Sequence, residues 1–165
     1  QAKLISQLKT IELPIKEEDC SIEVISKEEN VISKLTDMAK NAKQHIDIIA
    51  PLQNLKLVYI NRPRELMEKI LKKIKTRIIT ENCEPDAFTR EILKFSEATK
   101  NPIQLKQIEK IPFNLLIVDD KEAMWGEKQS KKDNAPIFWT DDPTQITILK
   151  TSFESLWQKP STTRK

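Results

Sequence analysis

The sequence predicts an α/β domain in which a layered, mixed or mostly parallel sheet is flanked by helices. Short apolar or alternating runs that are typical of strands recur along the chain, and segments with helical hydrophobic spacing lie between them. The length of 165 residues suits one domain with a buried core. Hydrophobic residues make up 38% and charged residues 32% of the chain, which is typical of a globular protein.

The first strand and helix are predicted near the start of this domain. Ser21–Ser26 alternates apolar and polar residues, as a half-buried strand does. Ser26 and Glu29 form the S-x-x-E pattern of a capping box, which predicts that a helix begins there. The apolar stripe of that helix consists of Val31, Leu35, Met38 and Ala42, with Ile32 and Ala39 widening it.

The same periodicities assign the middle of the chain. Strands are predicted at His45–Ala50, which Pro51 ends, and at Thr76–Thr80. Helices are predicted at Arg62–Ile74 and at Asp86–Ala98, where Pro85 suits the first turn. The stretch Leu55–Ile60 fits either a strand or a helix.

The last third of the chain contains the longest apolar run, Phe113–Asp119, which predicts a central strand buried on both faces. Asp120–Lys121 is expected to form a turn, with Ala123–Gly126 returning as a hairpin partner. Further strands are predicted at Ile103–Ile108 and Ala135–Thr140.

The final helix is predicted to begin at Pro143, with Asp142 as its cap together with Gln145. Its apolar positions follow helical spacing and are expected to be buried against the sheet. They are Ile146, Leu149, Phe153, Leu156 and Trp157.

Composition excludes several classes of function. Gly126 is the only glycine, so the chain has no glycine-rich phosphate-binding loop. The formal charge of +3 is small and Lys alternates with Glu, which argues against a nucleic-acid surface. Cys20 and Cys83 lack metal or redox spacing, so we expect reduced thiols in the cytoplasm, no cofactor and no metal. No apolar run approaches the length of a membrane span, so no membrane partner is expected.

The predicted organisation has three parts. Residues 1–20 are expected to be a helix tail and linker, and because the chain starts at Gln1 we expect another module upstream. Residues 21–158 form the α/β domain, and residues 159–165 are expected to be a disordered tail.

Candidate ligand-binding residues follow the predicted strands. Asp119 and Asp141 come directly after strands, and Glu81 and Asn82 would lie at the same edge of the sheet if those strands are parallel. Trp139 follows Phe138 on a strand, so the two side chains point to opposite faces, and Trp139 is a candidate for a pocket wall. A turn role for Asp120 and a cap role for Asp142 need no ligand, and the single histidine, His45, is expected to be a surface or strand-edge residue.

Three stretches together resemble one phospholipase D-like repeat. They are a helix followed by HIDIIAP, then KKIKTRIITE, and then IPFNLLIVDDKEAMWGE with the later IFWTDDPTQITILKTSFESLW. The resemblance covers residues 20–158 and is greatest to the effector domain of archaeal TrmB-type transcriptional regulators. It implies a cytoplasmic regulatory sensor or effector domain of a larger archaeal regulator or signalling protein. It also implies a small-molecule effector, and contact with DNA only through a missing N-terminal module.

Active members of that superfamily carry an H-x-K-x(4)-D motif in the stretch that here reads Pro112–Asp119. Asp119 matches the Asp, but Asn114 stands at the Lys position and Pro112 at the position of the nucleophilic His. Proline has no nucleophilic atom, and an amide cannot neutralise a phosphoryl anion. The chain is therefore predicted not to be an enzyme, and Asn114 joins the candidate ligand-binding residues.

Two alternatives to the sensor hypothesis stay open. One is a protein-interaction module without a small ligand, in which the linker helix and the Phe153–Trp157 face build a homodimer. The other is a degenerate phosphodiesterase with an unrecognised arrangement of residues, for which neither the nucleophile nor the cation is in place.

Overall fold

The computed structural model describes residues 20–61, 64–81, 84, 86–98, 100, 103–128 and 135–161. Among these residues, seven strands form a single sheet that has helices on both faces. The strands are β1 (Ile22–Ile25), β2 (His45–Ile49), β3 (Lys75–Glu81), β4 (Gln104–Ile108), β5 (Asn114–Val118), β6 (Glu122–Gly126) and β7 (Ile137–Thr140). The helices are α1 (Glu28–Asn41), α2 (Leu52–Ile60), α3 (Arg64–Lys73), α4 (Ala87–Ala98) and α5 (Pro143–Trp157). None of these helices is long and apolar enough to cross a lipid bilayer.

The sheet is mixed, with the order β1-β7-β6-β5-β2-β3-β4. The strands β2, β3 and β4 run parallel, because a helical connection joins each to the next. The other four neighbouring pairs are antiparallel. The predicted α/β class with a mixed sheet is therefore confirmed, and the mostly parallel version of that prediction is wrong.

One face of the sheet is covered by α5. Phe153 is fully buried, Ile146 and Leu156 are buried beside it, and Trp157 stacks on Phe153 with ring centroids 5.8 Å apart. These side chains pack on Ile79 and Ile117, which face the same way from β3 and β5. The predicted buried face of the last helix is confirmed. Because Phe153 and Leu156 are part of the core, these two side chains are not available for the homodimer surface suggested at Phe153–Trp157.

Helices α1 to α4 lie on the other face. Met38 and Ala42 of α1 are buried against Ile46 and Val118 of the sheet, and Val31 and Leu35 pack against the same cluster. The helical stripe predicted for α1 is thus confirmed for these four positions. Ile32 is exposed, so its predicted place on the stripe is wrong.

The observed boundaries and caps of the helices test several local predictions. The ambiguous stretch Leu55–Ile60 belongs to α2. Asp142 caps α5 by accepting a hydrogen bond from the backbone N–H of Thr144 at 2.9 Å, as predicted. The capping box predicted at Ser26 is wrong, because Lys27 is the N-cap of α1 and no side chain caps it.

Parts of the predicted organisation lie outside the described residues. Residues 1–19 and 162–165 include most of the predicted linker and tail, and Asn82, Cys83 and Pro85 are likewise not described. Cys20 is exposed.

Candidate functional site

Asp119 closes the hairpin between β5 and β6. Both Asp119 and Asp120 have positive φ, 53° and 54°, which short polar side chains tolerate. The Asp119 carboxylate accepts hydrogen bonds from the backbone N–H groups of Lys43 (2.8 Å), Gln44 (2.8 Å) and His45 (2.9 Å). Burial opposes ionisation, but these three bonds outweigh it and lower the pKa of Asp119. This candidate ligand residue thus holds the turn against the start of β2.

Two other sequence candidates also have structural partners. Asp141 accepts a hydrogen bond from the backbone N–H of Ser21 at 2.7 Å and so fixes the start of β1 beside β7. Trp139 is buried under α1, and its Nε1 donates to Glu122 at 3.1 Å. The ammonium of Lys34 lies 3.4 Å from the centre of the Trp139 ring.

Glu81 and Asn114 lie at the opposite edge of the sheet from Asp119. The reason is that β5 runs antiparallel to β2, which is parallel to β3, so the end of β3 meets the start of β5. Glu81 accepts a hydrogen bond from the backbone N–H of Ile111 at 3.2 Å and pairs with Lys128. The strands that precede Glu81 and Asp119 are therefore not parallel, and the two side chains do not lie at the same edge of the sheet. Asn82 lies outside the described residues.

A charged cluster that the sequence reasoning missed lies between α5 and the sheet. Asp47 is 1% exposed and accepts two hydrogen bonds from Arg77, at 2.7 and 2.8 Å. Arg77 also donates to Glu154 of α5 at 2.6 Å. Lys150 of α5 contacts Asp47 at 2.5 Å and Asp120 at 2.9 Å. The cluster therefore ties α5 to β2, β3 and the hairpin turn.

The contacts within this cluster shift the pKa values of Arg77, Lys150 and Asp120. The hydrogen bond to Asp47 is the main cause that raises the pKa of Arg77. Burial alone would lower the pKa of Lys150, but its bonds to Asp47 and Asp120 outweigh that and raise it. Burial likewise opposes ionisation of Asp120, but its bonds to Lys150 and His45 lower the pKa of Asp120.

Within the described residues, His45, Asp47 and Asp120 offer ligand atoms that lie within 4.8 Å of one another, close enough to surround a metal ion. His45 Nε2 is 3.1 Å from Asp120 Oδ1. However, the ammonium of Lys150 already contacts both carboxylates, so a metal ion would have to displace it. The cleft of about 620 Å³ beside these residues is lined by two carboxylates, Asp47 and Asp120, and by four cations, Lys75, Arg77, Lys100 and Lys150.

The alternation of side chains between the two faces of β2 could have indicated this cluster from the sequence. His45, Asp47 and Ile49 share one face of the strand, and Ile49 is fully buried. A carboxylate at that position requires a cationic partner. The sequence does not say which cation supplies it, because Arg77 and Lys150 are 30 and 103 residues away.

A second cavity, of about 360 Å³, lies between the helices and the other face of the sheet. Its walls include Ile46 and Ile48 of β2, Ile78 of β3 and side chains from α1, α2, α3 and α4. Among the residues that the structure describes, none of the side chains that line it is charged. Asn114 lines it as well, at the edge of the sheet opposite Asp119.

The positions of the phospholipase D motif are dispersed along β5. Asn114 begins the strand, Asp119 follows its last residue, and Pro112 is exposed before it. The Nδ2 atom of Asn114 donates to the backbone carbonyls of Glu127 and Lys128 at 3.1 and 3.3 Å. The arrangement offers no nucleophile at Pro112 and no cation at Asn114.

Comparisons with known proteins agree with this architecture. Residues 21–165 match the family profile described as the N-terminal subdomain of the EBD, the effector-binding domain, of the transcriptional regulator TrmB. A search of curated protein sequences finds no match to the chain.

Solved structures with a similar fold include TrmBL2, described as an archaeal chromatin protein with a novel mode of DNA binding. It is 19% identical with a TM-score of 0.66, and the similarity covers 98% of this chain and 63% of that one. NucT from Helicobacter pylori is 13% identical with a TM-score of 0.57, over 84% of this chain and 96% of that one. Polyphosphate kinase from Porphyromonas gingivalis is 12% identical with a TM-score of 0.53, over 87% of this chain and 27% of that one. At these identities the likeness shows the fold.

Proposed function

We propose, from the premise that this chain belongs to the TrmB family of transcriptional regulators as an N-terminal subdomain of the EBD, that it is a non-catalytic effector domain. Residues 21–158 would form this domain, which binds a small molecule and passes its bound state to an attached DNA-binding module. Because such a regulator acts on DNA, the proposed location is the cytoplasm. Asp119, Asp141 and Trp139 would support the fold, since each of them already has a partner within the chain.

The non-catalytic role is supported by the residues that occupy the positions of the phospholipase D motif. Pro112 and Asn114 replace the nucleophile and the cation, and the carboxylate of Asp119 is occupied by three backbone N–H groups. Phosphoryl transfer of the phospholipase D type needs a nucleophile and a group that holds the phosphate charge. The fold is similar to that of an enzyme, polyphosphate kinase, but the residues at the motif positions do not support catalysis in this chain.

DNA contact is assigned to another part of the parent protein. The net charge of this chain is +3, and the cations Arg77 and Lys150 are engaged with carboxylates. DNA-binding surfaces concentrate unpaired Lys and Arg on one face, which such pairing opposes. This chain spans 63% of the TrmBL2 chain, so the DNA binding named for that protein comes to this one only as a proposal for the parent.

The test is a thermal-shift screen of this chain against sugars, nucleotides, amino acids, divalent metals and uncharged apolar compounds. Binding to the folded state alone raises the melting temperature, by an amount that saturates with ligand concentration. We expect one chemical class to give such a shift, and no hydrolysis of bis(p-nitrophenyl) phosphate. Turnover that disappears in Asn114→Ala would contradict the proposal and revive the degenerate phosphodiesterase. A flat screen would contradict the effector role.

A protein-interaction module is the second candidate, and one observation favours it. The edge strand β1 exposes Ile22 and Val24, at 54% and 62% of their surface, and among the described strands only β7 pairs with it. Exposed apolar edge strands are common sites of pairing with another chain. Solution mass measured at several concentrations tests this, with Val24→Lys as the variant that should abolish an assembly. A monomer at every concentration would exclude homodimerisation through this edge.

A further inference from the structure

We infer that the cavity between the sheet and helices α1 to α4 binds an uncharged, predominantly apolar small molecule. The inference rests on the proposed function only in treating that molecule as the effector. Two properties of the cavity support it: its volume and the chemistry of its walls.

The volume is too large for an ordinary packing defect. Protein interiors are packed as densely as organic crystals, with few voids larger than a water molecule. The cavity measures about 360 Å³ and lies within the range of small-molecule sites. Four helices and the sheet surround it, so a molecule inside would contact α1, α2, α3 and α4 at once.

The walls select against charge and against sugars. Aliphatic and aromatic side chains dominate, including Leu35 of α1, Leu55 of α2, Ile70 of α3 and Phe88 of α4. Because no charged side chain lies in the part of the wall that the structure describes, an ionised ligand would lose its hydration without gaining a counter-ion there. A sugar would leave most of its hydroxyl groups unpaired at the same cost. Water itself is poorly held in such a site, since it needs several polar partners.

The first experiment uses N-phenyl-1-naphthylamine, an uncharged fluorescent dye with a single N–H donor, on the whole chain. We expect saturable binding with enhanced fluorescence. The sulfonated dye 1-anilinonaphthalene-8-sulfonate shares the rings but carries a charge, and it should bind at least about tenfold more weakly.

Two variants locate the dye. Ala39 of α1 lines the cavity, so Ala39→Phe should fill it and weaken binding at least about tenfold, as the loss of a well-packed apolar contact implies. Ala98→Phe, at an exposed position of α4, adds the same group elsewhere and should leave binding unchanged. Leu55→Phe, on α2, narrows the same cavity from another side and should also weaken binding. This second variant keeps the inference testable even if Ala39→Phe does not fold.

Several outcomes would overturn the inference. Binding that is equal for the charged and uncharged dyes would indicate a loosened surface and not this cavity. Binding of the dye only after removal of residues 1–19 would mean that the N-terminal segment of the chain fills the cavity. A saturable thermal shift with a sugar, in the absence of dye binding, would overturn the ligand class but leave the effector proposal intact. A flat response to both dyes and to the whole screen would overturn both.

Discussion

Arg77 and Asp47 occupy paired positions on the parallel strands β3 and β2, and they form a two-point ion pair beneath α5. Arg77 also lies 4.7 Å from the ring centre of Phe153 and donates to Glu154, so its guanidinium joins two strands to one helix. The pair explains how a charged residue is accommodated in the middle of the buried strand β2. It is a structural contact whose removal should be felt throughout the domain.

Replacing Asp47 should strongly destabilise the protein. Asp47→Ala leaves Arg77 and Lys150 without their buried anion, and breaking a buried ion pair from one side costs about 3–5 kcal/mol. Urea unfolding measures the loss in free energy. The control is Glu23→Ala, which removes an exposed pair with Lys34 and should cost less than about 1 kcal/mol. Equal effects of the two substitutions would contradict a supporting role for the cluster.

The turn at Asp119 should make stability depend on pH. Its pKa is lowered in the folded protein, so its contribution is present above the unfolded value of about 4 and is lost as the pH falls through the lower, folded value. Asp119→Asn should cost roughly 1 kcal/mol at pH 7, because three bonds to a partly solvated carboxylate are weakened.

The measurement is urea unfolding of the wild type and Asp119→Asn from pH 7 down to pH 2. The difference in free energy of unfolding between the two proteins should begin to shrink near about pH 4, where the Asp119 carboxyl of the unfolded wild type takes up a proton, and should be smallest below the lower pKa of the folded protein. Asp37→Asn, at an exposed position of α1, is the matched control and should not alter the profile. A difference that stays constant over this range would show that the charge of Asp119 is not what the turn requires.

Phe153 should be essential to the fold and not to an interface. Its side chain is fully buried against the sheet, and Phe153→Ala should lower the free energy of unfolding by about 3–5 kcal/mol. Ile148→Ala, at an exposed position of the same helix, should change it by less than about 0.5 kcal/mol. Chemical denaturation distinguishes the two. If Phe153→Ala stays stably folded and differs from the wild type only in its oligomeric mass in solution, the dimer-surface hypothesis would be restored.

Position 126 requires glycine because a neighbouring side chain leaves little space for a Cβ atom, and not because of its backbone conformation. A Cβ atom built at Gly126 would lie 2.6 Å from the Cδ1 methyl group of Ile137 on β7, and its φ is not positive. Gly126→Ala should therefore cost about 1 kcal/mol, because a flexible side-chain end must move. Ile137→Val removes that methyl group, so in the double variant the cost of Gly126→Ala should largely vanish. Additive effects in the double-mutant cycle would argue against the clash.

The sequence by itself determined the class of the fold and the position of most elements. Periodicity placed β2, β3, β5 and α5, and the Asp142–Pro143 pair located the start of the last helix, because these signals depend on neighbours a few residues away. The loss of the motif's His and Lys, at Pro112 and Asn114, could also be recognised from the sequence, since a motif depends on residue identity alone. The capping box at Ser26 failed because helix α1 begins one residue later, at the N-cap Lys27.

The tertiary structure decided which residues meet. The antiparallel direction of β5 separates Glu81 and Asn114 from Asp119 and places them at opposite edges of the sheet. The tertiary structure also places Lys150 in contact with Asp47 and arranges four helices around one apolar cavity. Strand order and helix docking depend on burying apolar surface and pairing charges across long stretches of chain. Local periodicity carries no information about such pairings, and so the cavity and the charged cluster appeared only once the chain was folded.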